Sequence, residues 1–258
     1  MKKVRFEDPA GSVREGVWED GTIKFADQTY DPESVNILPP VSPSKIVCLG
    51  SNYVEHIKEG EGDIPERPLL FLKGPNTLAG HGDTVTLPDV ELDDELLPDD
   101  WPFELGNGRI DFEAELAVVI GKQCKHVSAD EADEVIAGYT CANDISNRDD
   151  QAIETNWVRG KAFDNATPLG PVLATPEHVE SDPRVKLYLN GELRQDSSDD
   201  EMVFTVGEAI EEATRYLTLE EGDVILMGTT YGVAPLSDGD VVEIEIEGIG
   251  TLQHSVAE

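Results

Sequence analysis

Positive charge is what this sequence has least of. Lys and Arg total 19 against 54 Asp and Glu, a formal net charge of −35. A molecule of that sign repels nucleic acid and anionic membranes, which excludes both as partners. Cysteines number three, Cys48, Cys124 and Cys141, with an odd count and no CxxC pair. This excludes a disulfide framework and a cysteine-built zinc site, and reads as reduced core thiols. No apolar run approaches the ~18 residues of a membrane span. The opening residues, MKKVRFE, lack the apolar core of a signal peptide. The expectation is a cytoplasmic protein. P-loop, GxGxxG after a strand, GxSxG and HExxH motifs are all missing, which removes the commonest nucleotide, serine-hydrolase and zinc-protease readings.

What is present reads as a folded, β-rich chain. Its 258 residues allow one large domain, or one with a small appendage. The acids are interleaved with apolar stretches rather than gathered in a tail, so the chain is not disordered. Acids spread over a folded surface, with few lysines, suit a halophile, where salt screens the self-repulsion. Residues 1–40 read as short strands and turns. Strands are expected at 46–49, 68–73, 110–121 and 138–145, with one or two helical turns at 52–60. Ser128 and Thr205 open capped helices, each with an acid three residues on. Residues 185–194 form a hairpin turning at Asn190-Gly191, and 222–256 are strand-rich. The acidic stretch 89–104 reads as a loop.

Three segments could carry chemistry. On a strand through 111–121, Phe112, Ala114, Leu116, Val118 and Ile120 share one face. Glu113 and Glu115 share the other, roughly 6–7 Å apart, before it turns apolar at Ala117 and Val119. Two carboxylates beside a buried stretch repel, and a hard cation between them would resolve the conflict. Chance gives roughly eleven acid-x-acid pairs at this composition, so the spacing alone is a weak signal. Asp144, at a predicted strand end, could add a third oxygen ligand, and Arg148 could grip a substrate carboxylate bidentately. A polar turn with a surface ion pair is the plainer alternative. Arg148, Arg159 and Lys161 fall close together in a chain poor in bases, which favours an anion site. His56 and Glu59 are three apart, so on a helical turn the carboxylate would orient the imidazole as a general base requires. A solvated helix end would look the same. The other histidines, His254 among them, read as structural or surface residues.

Taken in order, the segments resemble the fumarylacetoacetate hydrolase family. They are GSNYVEHIKE at 50–59, FLK at 71–73, DFEAELAVVIGK at 111–122, GYTCANDISNRD at 138–149 and WVRGKAFD at 157–164. PLGP at 168–171, GDVILMGT at 222–229 and GIGTL at 248–252 complete the series. The resemblance implies an α+β, β-rich fold: a mixed β-roll sheet with flanking helices. A small N-terminal β domain (1–42) would precede the catalytic domain (43–258), and the usual assembly is a homodimer. It further implies Mg²⁺ or Mn²⁺, with Ca²⁺ as a substitute, held by Glu113, Glu115 and Asp144. His56 and Glu59 would activate water, Lys161 would stabilise developing negative charge, and Tyr53, Lys73, Arg148, Gln151 and Thr229 would contact substrate. The implied reaction is hydrolytic C–C cleavage of an acylpyruvate-type 2,4-diketo acid. Isomerisation or decarboxylation of a hydroxymuconate-type diacid and dehydration of a 2-keto-3-deoxy sugar acid start from the same chemistry. A catalytically idle metal-binding relative is the non-enzyme alternative. One departure stands out: the family commonly has Thr-Gly-Thr-Pro where this chain has Met227-Gly-Thr-Thr-Tyr231.

Overall fold

The computed structural model describes residues 1–59, 63–89, 94–98, 105–106 and 108–258. Among them a twelve-stranded mixed sheet forms the backbone of the molecule. Its central path runs Thr167–Ala174, Ile136–Asn143, Ala114–Ile120, Val224–Leu226, Ile46–Gly50 and Leu69–Lys73. Val224–Leu226 and Ile46–Gly50 are parallel neighbours, whereas the other pairs on this path are antiparallel. The strands of residues 2–38 extend the same sheet, with Lys2 and Lys3 pairing to Ala174 and Leu173. A second, five-stranded sheet contains Glu192–Ser198, Arg184–Leu189, Val241–Ile246, Gly250–Ala257 and Thr84–Thr86. No helix among the described residues is long and apolar enough to cross a membrane.

The expected alternation along 112–120 is what organises the core. Phe112, Ala114, Leu116, Val118 and Ile120 join the main apolar cluster, while Ala117 and Val119 join a second one on the opposite face. With apolar layers on both faces the strand is buried throughout. The run breaks once: Ile110–Asp111 pairs with Ser146–Asn147 before the long strand begins at Ala114. All three cysteines are free and buried.

The local signals divide. Thr205 and Glu208 close a reciprocal capping box on the helix Val206–Tyr216, and Asn190-Gly191 turns the hairpin with both φ angles positive. Ser128 does not open an α-helix. Ala129–Val135 is a 3₁₀ helix, and the Ser128 hydroxyl bonds the Glu131 carboxylate instead of a backbone N–H. Its buried residues, Ala132 and Val135, are three apart, and three residues per turn puts both against the neighbouring helix. Within the acidic stretch, Asp94–Leu96 forms one 3₁₀ turn. Residues 90–93 and 99–104 lie outside the described residues.

Asp223 locks the parallel strand pair. Its Oδ1 accepts from Ser44 N at 2.9 Å, Ser44 Oγ at 2.8 Å and Lys45 N at 3.2 Å. Its Oδ2 accepts from Glu220 N at 2.8 Å and Lys45 Nζ at 2.5 Å. Burial would raise this carboxyl, but the Glu220, Lys45 and Ser44 donors outweigh it and hold the pKa below the usual range. A carboxylate with a depressed folded pKa stabilises above its unfolded pKa, and that stability fades as pH falls through the folded value. Asp223→Asn should therefore cost about 2–3 kcal/mol at pH 7. The deficit should shrink near pH 3, as urea unfolding at the two pH values would reveal.

Candidate active site

Three carboxylates converge where the central strands end. Glu113 and Glu115 flank Ala114, and Ala114 pairs with Asn143 on the neighbouring strand, so Asp144 follows directly beside them. The crossing is pinned twice: Asp144 N donates to Glu113 O at 2.9 Å, and Glu113 N donates to Asn143 Oδ1 at 2.8 Å. All three side chains are buried, and one oxygen from each lies within 4.8 Å of the others.

Two short helices bring cations against this cluster. Arg148–Ile153 is capped by Asn147, whose side chain accepts from Asp150 N. It carries Arg148, whose Nη2 lies 2.6 Å from Glu113 Oε1 and whose Nε donates to Asp111 Oδ2 at 2.9 Å. Nη1 donates to Gln151 Oε1 at 3.0 Å. Val158–Lys161 packs on that helix. Lys161 Nζ donates to Glu113 Oε2 at 2.7 Å and to Asp144 Oδ2 at 2.9 Å. From below, Lys73 Nζ reaches Asp144 Oδ1 at 2.5 Å and Ala166 O at 2.7 Å.

The charges are unevenly shared. Burial would raise the Glu113 carboxyl, yet Lys161, Arg148 and His56 hold it well below the usual range. Burial raises Glu115 too, and repulsion from Asp144 and Glu113 drives it higher, outweighing the Lys161 charge and the 2.6 Å bond from Gly228 N. Among the described residues no lysine or arginine makes a salt bridge to Glu115. That vacancy of positive charge is the test of fit for a metal. Oxygens on opposite sides of an Mg²⁺, Mn²⁺ or Ca²⁺ ion stand about 4–5 Å apart, and an all-carboxylate donor set suits those ions over Zn²⁺. Glu113, Glu115 and Asp144 meet both conditions.

Above the carboxylates opens a cavity of about 270 Å³. Glu113, Glu115, Asp144, Arg148, Gln151, Lys161, Thr229 and His56 all line it, joined by Phe71 and Trp157. Lys161 Nζ sits 5.1 Å from the Phe71 ring centroid, and Trp157 meets Phe71 edge-on at 5.4 Å. His56 Nδ1 is 3.3 Å from Glu59 Oε2, and Glu59 Oε1 accepts from Gly232 N at 3.3 Å. Burial would raise the Glu59 carboxyl, but these two bonds pull it below the usual range.

Three expected residues lie off the cavity wall. Glu59 stands behind His56. Lys73 supports Asp144 from beneath the cluster. Tyr53 is buried and bridges to Met202. A wider hollow of about 810 Å³ near Leu87, Arg109 and Leu236 is separate from the carboxylates.

Sequence reasoning missed the supports. Asn143 was visible only as the neighbour of Asp144, and its Nδ2 lies 2.9 Å from His254 Nε2. His254 is buried, and burial lowers it to about 4, so it stays neutral and accepts that bond. Asn52 Nδ2 donates to Met227 O at 2.7 Å, and Gln195 bonds the loop carrying Thr229. Single polar residues in unrelated segments leave no spacing signal.

The model of the fumarylacetoacetate (FAA) hydrolase C-terminal family matches residues 45–257. The oxaloacetate tautomerase YisK of Bacillus subtilis is 38% identical over 240 residues, covering 88% of this chain and 75% of its own. The crystal structure of 5-carboxymethyl-2-hydroxymuconate delta-isomerase from Mycobacterium smegmatis aligns with a TM-score of 0.85 at 35% identity, covering 100% of this chain and 98% of that one. Maleylpyruvate hydrolase from Sphingobium aligns at 0.80 with 27% identity, covering 100% and 99%. By the family match over residues 45–257 and these likenesses over most of its length, the chain belongs to the fumarylacetoacetate hydrolase family of enzymes.

Proposed function

We propose that this chain is a divalent-metal-dependent enzyme that moves a proton at the carbon beside the oxo group of a small 2-oxo acid, as a tautomerase or isomerase. One observation carries the reading. A buried carboxylate triad with Lys161 and Arg148 on it shares one small cavity with the His56–Glu59 pair. Glu113, Glu115 and Asp144 would hold Mg²⁺ or Mn²⁺, which when bound supplies Lewis-acid polarisation of the oxo group. Arg148 and Gln151 orient the substrate carboxylate. Lys161 Nζ donates to the oxygen on which negative charge develops. His56, oriented by Glu59, takes the proton from carbon and returns it. Thr229 contacts the far end of the substrate. At about 270 Å³ the cavity falls just below the usual run of ligand sites, about 300–1,000 Å³. That favours a short acid.

A second reading is hydrolytic C–C cleavage. Glu59 keeps a third of its side-chain surface exposed, so water has access to the pair. One experiment separates the two. Purified protein in high salt, with Mn²⁺ or EDTA, is given oxaloacetate and an acylpyruvate, and products are followed by NMR in D₂O. Mn²⁺-dependent keto–enol exchange without cleavage is the expected result. Cleavage to two acids would replace it with the hydrolase. No turnover of any 2-oxo acid with metal bound would sink both. We also take the enzyme to be a cytoplasmic homodimer adapted to salt, on the family resemblance and the charge of −35.

A further inference from the structure

The loop 228–232 touches both halves of the site. At one end Gly228 N donates to Glu115 Oε2 at 2.6 Å. At the other Gly232 N donates to Glu59 Oε1 at 3.3 Å. Four residues of backbone thus span from a candidate ligand to the partner of the candidate base. What fixes that loop is a residue from the other sheet.

The strand Val224–Leu226 pairs with Ala114–Ile120 as far as Ala117↔Leu226, and Met227 N still reaches Leu116 O at 3.1 Å. The chain then swings away at Gly228, where φ is +88°. The ladder therefore stops before Ala114, the residue between the two glutamates. Side chains take over its backbone groups. Ala114 O accepts from Thr229 Oγ1 at 2.9 Å, and Ala114 N donates to Gln195 Oε1 at 3.0 Å. The amide of Gln195 faces the loop with its other end: Nε2 lies 2.9 Å from Thr229 Oγ1, 3.0 Å from Thr230 O and 3.4 Å from Tyr231 O. Gln195 is 1% exposed, so water does not substitute for these bonds. The backbone of the same strand meets the loop again. A Cβ added at Gly232, where φ is +92°, would lie 2.5 Å from Arg194 O.

We propose that Gln195 is a positioning residue that sets the loop 228–232 against Ala114, and so fixes the His56–Glu59 pair relative to the carboxylate triad. The proposal rests on the reading of pair and triad as one site. Gln195 acts through the loop and touches no reacting group. Glu113 and Glu115 stand on either side of its bond to Ala114, so the same amide steadies the ligand strand.

The test uses Gln195→Met, which keeps the volume and removes both ends of the bridge. Mn²⁺ affinity should fall several-fold. Amide exchange at 228–232 should quicken. On a substrate that the wild type turns over, kcat should fall about 10–100-fold with KM moving far less, because displacement of catalytic groups by about an ångström costs on that order. The pH profile of kcat should change as well, which a loss of folded protein alone would not produce. Gly232→Ala is the second variant: it keeps Gln195 and every candidate ligand, pushes the loop off Arg194, and should reproduce the kcat loss. If Gln195→Met does not fold, Gly232→Ala decides alone. Unchanged Mn²⁺ affinity, exchange and kcat in the folded variants overturn the proposal, even with a lowered Tm. The metal and exchange readouts need no substrate, so a wild type inactive on all 2-oxo acids would defeat the proposed function and leave this test standing.

Discussion

Exchanging Glu115 for glutamine is expected to abolish tight divalent-metal binding and lower turnover by about 10³-fold, a loss of roughly 4 kcal/mol of charge stabilisation. The cause is in its neighbours. Lys161 serves Glu113 and Asp144, Lys73 serves Asp144, and Arg148 serves Glu113. Glu115 has the Gly228 N–H. Burial and two like charges push its carboxyl well above the usual range, and a divalent ion is the partner it is short of. An amide of the same shape keeps the Gly228 bond and brings no charge. Without metal, Glu115→Gln should therefore be at least as stable as the wild type, since a buried, repelled carboxyl has gone. With Mn²⁺ at about a hundred times its Kd, the wild type should gain about 2.7 kcal/mol. That corresponds to about 5–10 °C in Tm, and the variant should gain almost none. Calorimetric melting with and without Mn²⁺ measures the difference. A variant that keeps the full Mn²⁺-dependent rise would remove Glu115 from the ligand set.

The sequence made the carboxylate strand legible because its two periodicities agree. Alternation from Phe112 to Ile120 puts apolar side chains on one face, and the opposite face carries Glu113 and Glu115 before Ala117 and Val119. The cysteines were legible by the same logic of isolation. Ser128 misled because a capping pattern reports only local chemistry. The 3₁₀ geometry at 129–135 follows from which residues the neighbouring helix buries, a contact between distant segments. The position of Lys73 in the fold was hidden for a related reason. FLK at 71–73 marks the position, but only the fold shows its ammonium beneath Asp144 and off the cavity wall. Gln195 left no trace at all. It stands 81 residues from Ala114, in a hairpin of another sheet, and nothing in its own segment marks it out. The candidate site residues sit in dense local motifs here. The residues that aim them are scattered, since any strand passing nearby can supply one amide.

His56→Ala should separate proton transfer from metal binding. The expected loss in kcat is about 10²–10⁴-fold, the usual worth of a positioned acid–base group, with Mn²⁺ affinity left near that of the wild type. His56 lies on the helix Val54–Glu59, outside the segments that carry Glu113, Glu115 and Asp144, so its removal leaves the carboxylates and their lysines in place. Glu59→Gln should cost less, about 10–100-fold, because Glu59 holds and polarises the imidazole without meeting substrate. The pH dependence tells the two apart. The His56 bond and the Gly232 N–H hold Glu59 below the usual carboxylate range despite its burial. An acid limb of kcat that comes from loss of the Glu59 charge therefore lies below the usual carboxylate range, and it should be absent in Glu59→Gln. Steady-state profiles of the three proteins on one turned-over 2-oxo acid provide the comparison. Full activity in His56→Ala would place the base elsewhere in the cavity and leave the His56–Glu59 pair a structural helix end.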